Sequence, residues 1–183
     1  MTRLQLEHLI RAAGIIADDD DIVVIGSQAI LGQFPGAPAE LRVSREADVY
    51  PRSHPERADL IDGSIGEGSP FDLTYGYFAH GVGPETAILP AGWQERLVVV
   101  SSANTRLVRG WCLEVHDLTV AKLAAGREKD LEFAESVARH RMARGETLRE
   151  RLDVTGLEAP VRALVEARIA RYFGDGARQT PAL

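Results

Sequence analysis

Cysteine occurs once in this sequence of 183 residues, at Cys112, which excludes an intramolecular disulfide and a cysteine-based zinc site. Its surroundings, Leu107-Val108-Arg109-Gly110-Trp111-Cys112-Leu113, are apolar and point to a buried structural thiol rather than a nucleophile. Long hydrophobic runs are missing as well. No stretch approaches the roughly 20 apolar residues of a membrane span, and Met1-Thr2-Arg3-Leu4-Gln5-Leu6-Glu7 has no signal-peptide core. The expectation is a soluble, cytoplasmic protein without a membrane partner. An excess of positive charge is absent too: the formal net charge of −6 argues against a constitutive nucleic-acid binder. Several motifs are lacking. There is no Gly-x-x-x-x-Gly-Lys-Ser/Thr phosphate loop and no Gly-x-Ser-x-Gly nucleophile elbow. Asp18 to Asp21 lack the ligand spacing of a calcium loop and read as a solvated turn. His54, His80 and His116 are not at metal-ligand spacing, and His80, beside Gly81, reads as a loop histidine of no special role, with a pocket-lining residue as the alternative. No internal repeat or low-complexity segment is seen.

What is present is ordinary globular composition, 45% hydrophobic and 26% charged, in a chain long enough for a real core. Residues from Thr2 to Ala17 carry apolar side chains mostly at helical spacing. Ile22 to Ile25 is a short continuous apolar run and reads as a buried strand. Gly26-Ser27 then opens a helical turn, with Ser27 near its N-cap, and Gln33 to Pro38 breaks it. Arg42 to Tyr50 reads as a second strand, and Pro55 to Ile61 as a short helix. Asp62 to Pro70 is a glycine-rich loop, and the aromatic stretch Phe71 to Val82 reads as a strand. Leu97 to Val100 and Trp111 to Val115 add two more strands.

From His116 the pattern turns helical. Asp117 to Ala125, Glu128 to Met142 and Ala159 to Phe173 read as helices, and Gly174 to Leu183 as a frayed tail. The fold class is α/β or α+β: a small mixed sheet flanked by helices, with a helical C-terminal part. Residues 1–145 form the main domain, and residues 146–183 a helical extension of it.

Within the second strand two carboxylates, Glu46 and Asp48, stand one residue apart. Alternate side chains on a strand share a face, so the two stand side by side. Their repulsion falls if a divalent cation sits between them. A glycine-serine turn nearby offers backbone amides to phosphate. The competing reading is an edge strand with two solvated acids. The combination of a strand, Gly26-Ser27-Gln28-Ala29-Ile30, and then Arg42-Val43-Ser44-Arg45-Glu46-Ala47-Asp48 resembles the nucleotidyltransferase superfamily related to polymerase β. It is closer still to the abortive-infection-type nucleotidyltransferase toxins of bacteria, which show Gly-Gly-x-Ala-Leu and Arg-x-Ser/Thr-x-Asp-x-Asp. Lys122, followed by Arg127-Glu128-Lys129-Asp130, matches their helical lysine and Arg-x-Lys-Asp run.

The resemblance implies a nucleotidyltransferase-like fold and transfer of a nucleoside monophosphate from a nucleoside triphosphate to an acceptor hydroxyl. It makes Glu46, Asp48 and Lys122 the catalytic candidates, with Glu46 and Asp48 holding Mg²⁺ or Mn²⁺. Gly26, Ser27, Arg42, Ser44 and Lys122 become the nucleotide-binding candidates. Other readings stand beside this for Lys122, as a helix-surface lysine, and for Arg127, Lys129 and Asp130, as an ion-pair cluster. A third acid completes such sites, and by order along the chain Asp72 and Glu114 are the candidates. The implied partners are a nucleoside triphosphate, an RNA or protein acceptor, and an antitoxin if the chain is half of a defence or toxin–antitoxin pair. The alternative is a non-catalytic nucleotide-binding or protein-interaction module with a degenerate metal site.

Overall fold

The computed structural model describes residues 1–174; the tail beyond Gly174 lies outside the described residues. The chain divides into two compact units. The first comprises Met1–Ala87 and Gln94–Glu114, and the second comprises, among the described residues, Ile88–Trp93 and residues 115–174. The division expected near residue 145 falls at the start of a helix of the second unit.

The first unit is built on five strands: β1 (Asp21–Val24), β2 (Glu46–Pro51), β3 (Phe78–Gly81), β4 (Val98–Val100) and β5 (Arg109–Cys112). They form one mixed sheet in the order β3-β2-β1-β5-β4. β1 pairs antiparallel with β2 and parallel with β5, while β2 and β3 run parallel. The apolar run Ile22-Val23-Val24 is buried because β1 is the central strand. Helix α1 (Arg3–Ala17) begins at a Thr2 N-cap whose side chain and Gln5 form a reciprocal capping box. It packs against the sheet through Leu6, Leu9, Ile10 and Ala13, all fully buried, the leucine and isoleucine side chains contributing about 1.5–3 kcal/mol each. Helix α2 (Ile30–Gln33) follows a 3₁₀ turn at Ser27–Ala29.

Between β2 and β3 lie α3 (Ala58–Ile65) and α4 (Pro70–Tyr75), where the structure corrects the sequence reading. The aromatic stretch from Phe71 is helical first and extended only over Phe78–Gly81. Ser69 caps α4 by accepting from the Asp72 amide, Pro70 sits in its first turn, and Gly76 closes it at φ 75°. These end signals outweigh the strand preference of the aromatic residues. The supposed glycine-rich loop is shorter than expected, because Asp62 to Ile65 complete α3. β2 starts at Glu46 rather than Arg42: a 3₁₀ turn at Ala39–Leu41 precedes it, and the Ser44 hydroxyl accepts from the Glu46 amide at 3.0 Å. The acids at 18–21 are not simply solvated. Asp19 accepts from the amides of Asp21 and Ser53, and Asp21 accepts from Trp111 Nε1 and Arg109.

The second unit holds α5 (Val115–Ala125), α6 (Glu128–Arg139), α7 (Gly145–Asp153) and α8 (Ala159–Phe173). Val120, Leu123, Ala134, Leu148, Leu152, Val165 and Ile169 form its core. The helical C-terminal part is thus present, with α8 spanning the residues expected for it. Among the described residues no helix is long and apolar enough to cross a membrane.

Candidate functional site

β2 alternates as a half-buried strand should. Ala47 and Val49 point into the core, while Glu46 and Asp48 stand on the other face, partly exposed. Parallel pairing sets Asp48 opposite His80 of β3. The three side chains meet there. His80 Nδ1 lies 3.0 Å from Glu46 Oε1 and 3.3 Å from Asp48 Oδ1. One ligand atom from each of the three residues falls within a 4.8 Å span.

The backbone leaving β1 closes this group from one side. Gly26 is extended, and a Cβ placed on it would sit 2.0 Å from Asp48 Oδ2. Only glycine lets the turn pass against that carboxylate. The Ile25 amide, just before it, donates to the Asp48 carbonyl at 3.0 Å. Gly26 rather than Ser27 occupies the N-cap position, and no side chain caps the turn.

On the other side, α3 lies so close to β3 that a Cβ on Gly81 would be 2.0 Å from the Ala58 carbonyl oxygen. That approach brings Asp62 near the cluster. Asp62, Glu67 and Phe78 join Glu46 and His80 around an open cleft of about 210 Å³. The site is electrostatically tense. Burial, then the adjacent Asp48 carboxylate, holds the Glu46 carboxyl above its ordinary range against the pull of His80. Burial pulls the His80 imidazole down, but the hydrogen bond to Asp48 and the charges of Glu46, Asp48 and Asp62 outweigh it and leave it raised.

His80, read from the sequence as a loop histidine of no special role, instead lies on β3 beside the two carboxylates, and Asp62 and Glu67 were not singled out by the sequence. The signal for His80 is a strand register, and Asp62 and Glu67 depend on where α3 packs. The expected third acids lie elsewhere. Asp72 is buried, pairs with Arg45 at 2.5 Å and accepts from the Gly68 amide at 3.1 Å, so it holds the loop before α4. Glu114 follows β5 and belongs to neither the cluster nor the cleft lining. Ser44 is tied to the backbone of Glu46 and shapes the entry to β2, beside Arg42.

In the second unit, Lys122 Nζ lies 2.9 Å from Asp130 Oδ1 and Arg127 Nε lies 2.6 Å from Asp130 Oδ2. Asp130 is fully buried. Burial pushes its carboxyl up, but Arg127 and Lys122 together bring it below its ordinary value. This ion cluster joins α5 to α6, and exposed Lys129 stands beside it on α6.

Two half-buried carboxylates, a neighbouring imidazole nitrogen and a backbone turn with no room for a side chain form a donor set suited to a divalent cation. No curated protein and no solved structure matches the chain. A family model described as "Nucleotidyltransferase of unknown function (DUF6036)" matches residues 4–162. That span takes in the sheet, the Gly26 turn, both carboxylates and Lys122, and the chain belongs to this nucleotidyltransferase family.

Proposed function

We propose that this chain is a metal-dependent nucleotidyltransferase that moves a nucleoside monophosphate from a nucleoside triphosphate to an acceptor hydroxyl. The observation that carries the reading is the packing of the Gly26 turn against Asp48, on the strand face that also presents Glu46. Glu46 and Asp48 are the residues that would hold the cation, Mg²⁺ or Mn²⁺. When bound, the ion would supply positive charge to offset the negative charge that develops in an in-line displacement at the phosphate.

The residues of the chain supply the rest. Backbone amides at Gly26 and Ser27, with the Ser27 hydroxyl, bind the triphosphate. Arg42 and Ser44 support the same end of β2. The acceptor oxygen bonds to the α-phosphorus as the bond to the β-phosphate oxygen breaks, releasing pyrophosphate. Asp62 and Glu67, the lining carboxylates outside the cluster, are placed to take the hydroxyl proton. With an α-labelled triphosphate and total RNA or protein as acceptor, Asp48→Ala is expected to lower label transfer by at least about 100-fold. Undiminished transfer by that variant overturns the mechanism.

The motif likeness supports a toxin-like role in a defence or toxin–antitoxin pair. Induced expression should then arrest bacterial growth, and Asp48→Ala should lift the arrest. One observation favours a second reading, a nucleotide-binding module without turnover: the residue facing Asp48 on β3 is His80, and neither Asp72 nor Glu114 joins the cluster. Triphosphate binding without transfer to any acceptor would select it.

A further inference from the structure

The residue facing Asp48 across the β2–β3 ladder carries nitrogen, not oxygen. Two atoms each about 2.1 Å from one ion lie about 3 Å apart when they occupy adjacent coordination positions. The separations of His80 Nδ1 from Glu46 Oε1 and Asp48 Oδ1, 3.0 and 3.3 Å, are of that size. The same nitrogen faces both oxygens, so one ion bound to the two carboxylates meets it. Strand pairing holds this arrangement on the β3 side, and on the other Gly26, lacking a Cβ, leaves the space that the Asp48 carboxylate fills.

Donor chemistry then decides which ion is preferred. Mg²⁺ takes oxygen ligands and keeps its waters, whereas imidazole suits first-row transition metals, with affinity rising from Mn²⁺ toward Cu²⁺. Asp62 and Glu67 add negative charge around the cleft, which raises affinity for any dication without telling them apart. Discrimination rests on His80.

We propose that His80 is a direct metal ligand, and that the Glu46–Asp48–His80 set forms a mixed oxygen–nitrogen centre selecting a first-row transition-metal dication over Mg²⁺. The proposal rests on the metal-dependent reading above and specifies which metal that reading requires.

The test is titration of the full-length protein with Mn²⁺ and with Mg²⁺ by calorimetry, with and without a non-hydrolysable nucleoside triphosphate. It is repeated on His80→Asp and His80→Asn, whose folding is checked by circular dichroism. The wild type should bind Mn²⁺ at least about tenfold more tightly than Mg²⁺, the low end of what a coordination-sphere change is worth. His80→Asp, with an all-oxygen set, should bring the two affinities within about threefold of one another. His80→Asn should weaken Mn²⁺ more than Mg²⁺. Electron spin-echo measurements on the Mn²⁺ complex should show coupling to an imidazole nitrogen that both variants lose. An unchanged Mn²⁺/Mg²⁺ ratio in His80→Asp, or no nitrogen coupling in the wild type, overturns this inference and leaves the metal-dependent reading standing. Failure of every dication to bind, with or without the triphosphate, overturns both.

Discussion

Gly26 leaves the room that the Asp48 carboxylate occupies, because the space a side chain there would need is already filled by Asp48 Oδ2. Gly26→Ala must therefore displace that carboxylate. Backbone strain is not involved, since φ is −80°. The expected outcome is a folded variant whose thermal melting no longer responds to dication. Gly36→Ala, with nothing within 4 Å of the added carbon, should respond like the wild type. Cys112 gives a second prediction at this scale. Burial pushes its thiol up to about 12, so native protein should not react with a thiol reagent at pH 8. Reaction should appear only on unfolding. An apolar neighbourhood was enough to read this residue correctly. His80 was not readable in the same way, because no residue near it in sequence reveals that Asp48 stands opposite.

The ion cluster joining α5 and α6 makes a testable contribution to stability. Removing one partner of a buried charge group costs about 3–5 kcal/mol. Arg127 is largely exposed and can return to water, so the low end applies to Asp130→Asn, about 3 kcal/mol at pH 7. The sign with pH follows from the depressed carboxyl of Asp130. Its stabilisation is fully present above the ordinary aspartate value, about pH 4, and is lost as pH falls through the lower folded value. Urea midpoints of wild type and Asp130→Asn should differ most at neutral pH and converge as pH falls through that lowered value. An equal gap at pH 7 and at the acid end would assign the loss to packing instead. Capping explains which elements were legible. α8 has regular apolar spacing and Pro160 in its first turn, and it was read end to end. α4 is only six residues long and rich in aromatics, so composition favoured a strand while Ser69, Pro70 and Gly76 decided for a helix. Ser69→Ala should cost about 1 kcal/mol by loss of the N-cap.

Over the whole molecule, charge sets the terms for binding. A chain of net charge −6 with acids around its cleft repels a nucleoside triphosphate of the same sign. Dication should therefore be obligatory for binding. In excess chelator a triphosphate should leave the melting temperature unchanged. With Mn²⁺, at a free ligand concentration of about 100 Kd, it should raise stability by about 2.7 kcal/mol. For a chain of this length that is a shift of roughly 5–10 °C. A shift of equal size in chelator would remove the metal from the binding step. At this scale the sequence conveyed fold class and the two carboxylates well. β1 is a run of apolar residues, and Glu46-x-Asp48 carries its own period. The division at Glu114, the third ligand and the cleft depend on contacts between distant segments, which no local pattern encodes.

β2 and β3 lie side by side and parallel, yet everything from Arg52 to Tyr77 intervenes between them along the chain. Parallel neighbours cannot be joined by a tight turn, so α3 and α4 must be in place before His80 can face Asp48. Closing so long an excursion is slow compared with forming a local helix. The centre is thus expected to assemble after the local helices. In a refolding time course, the ability to capture Mn²⁺ should lag behind helical ellipticity.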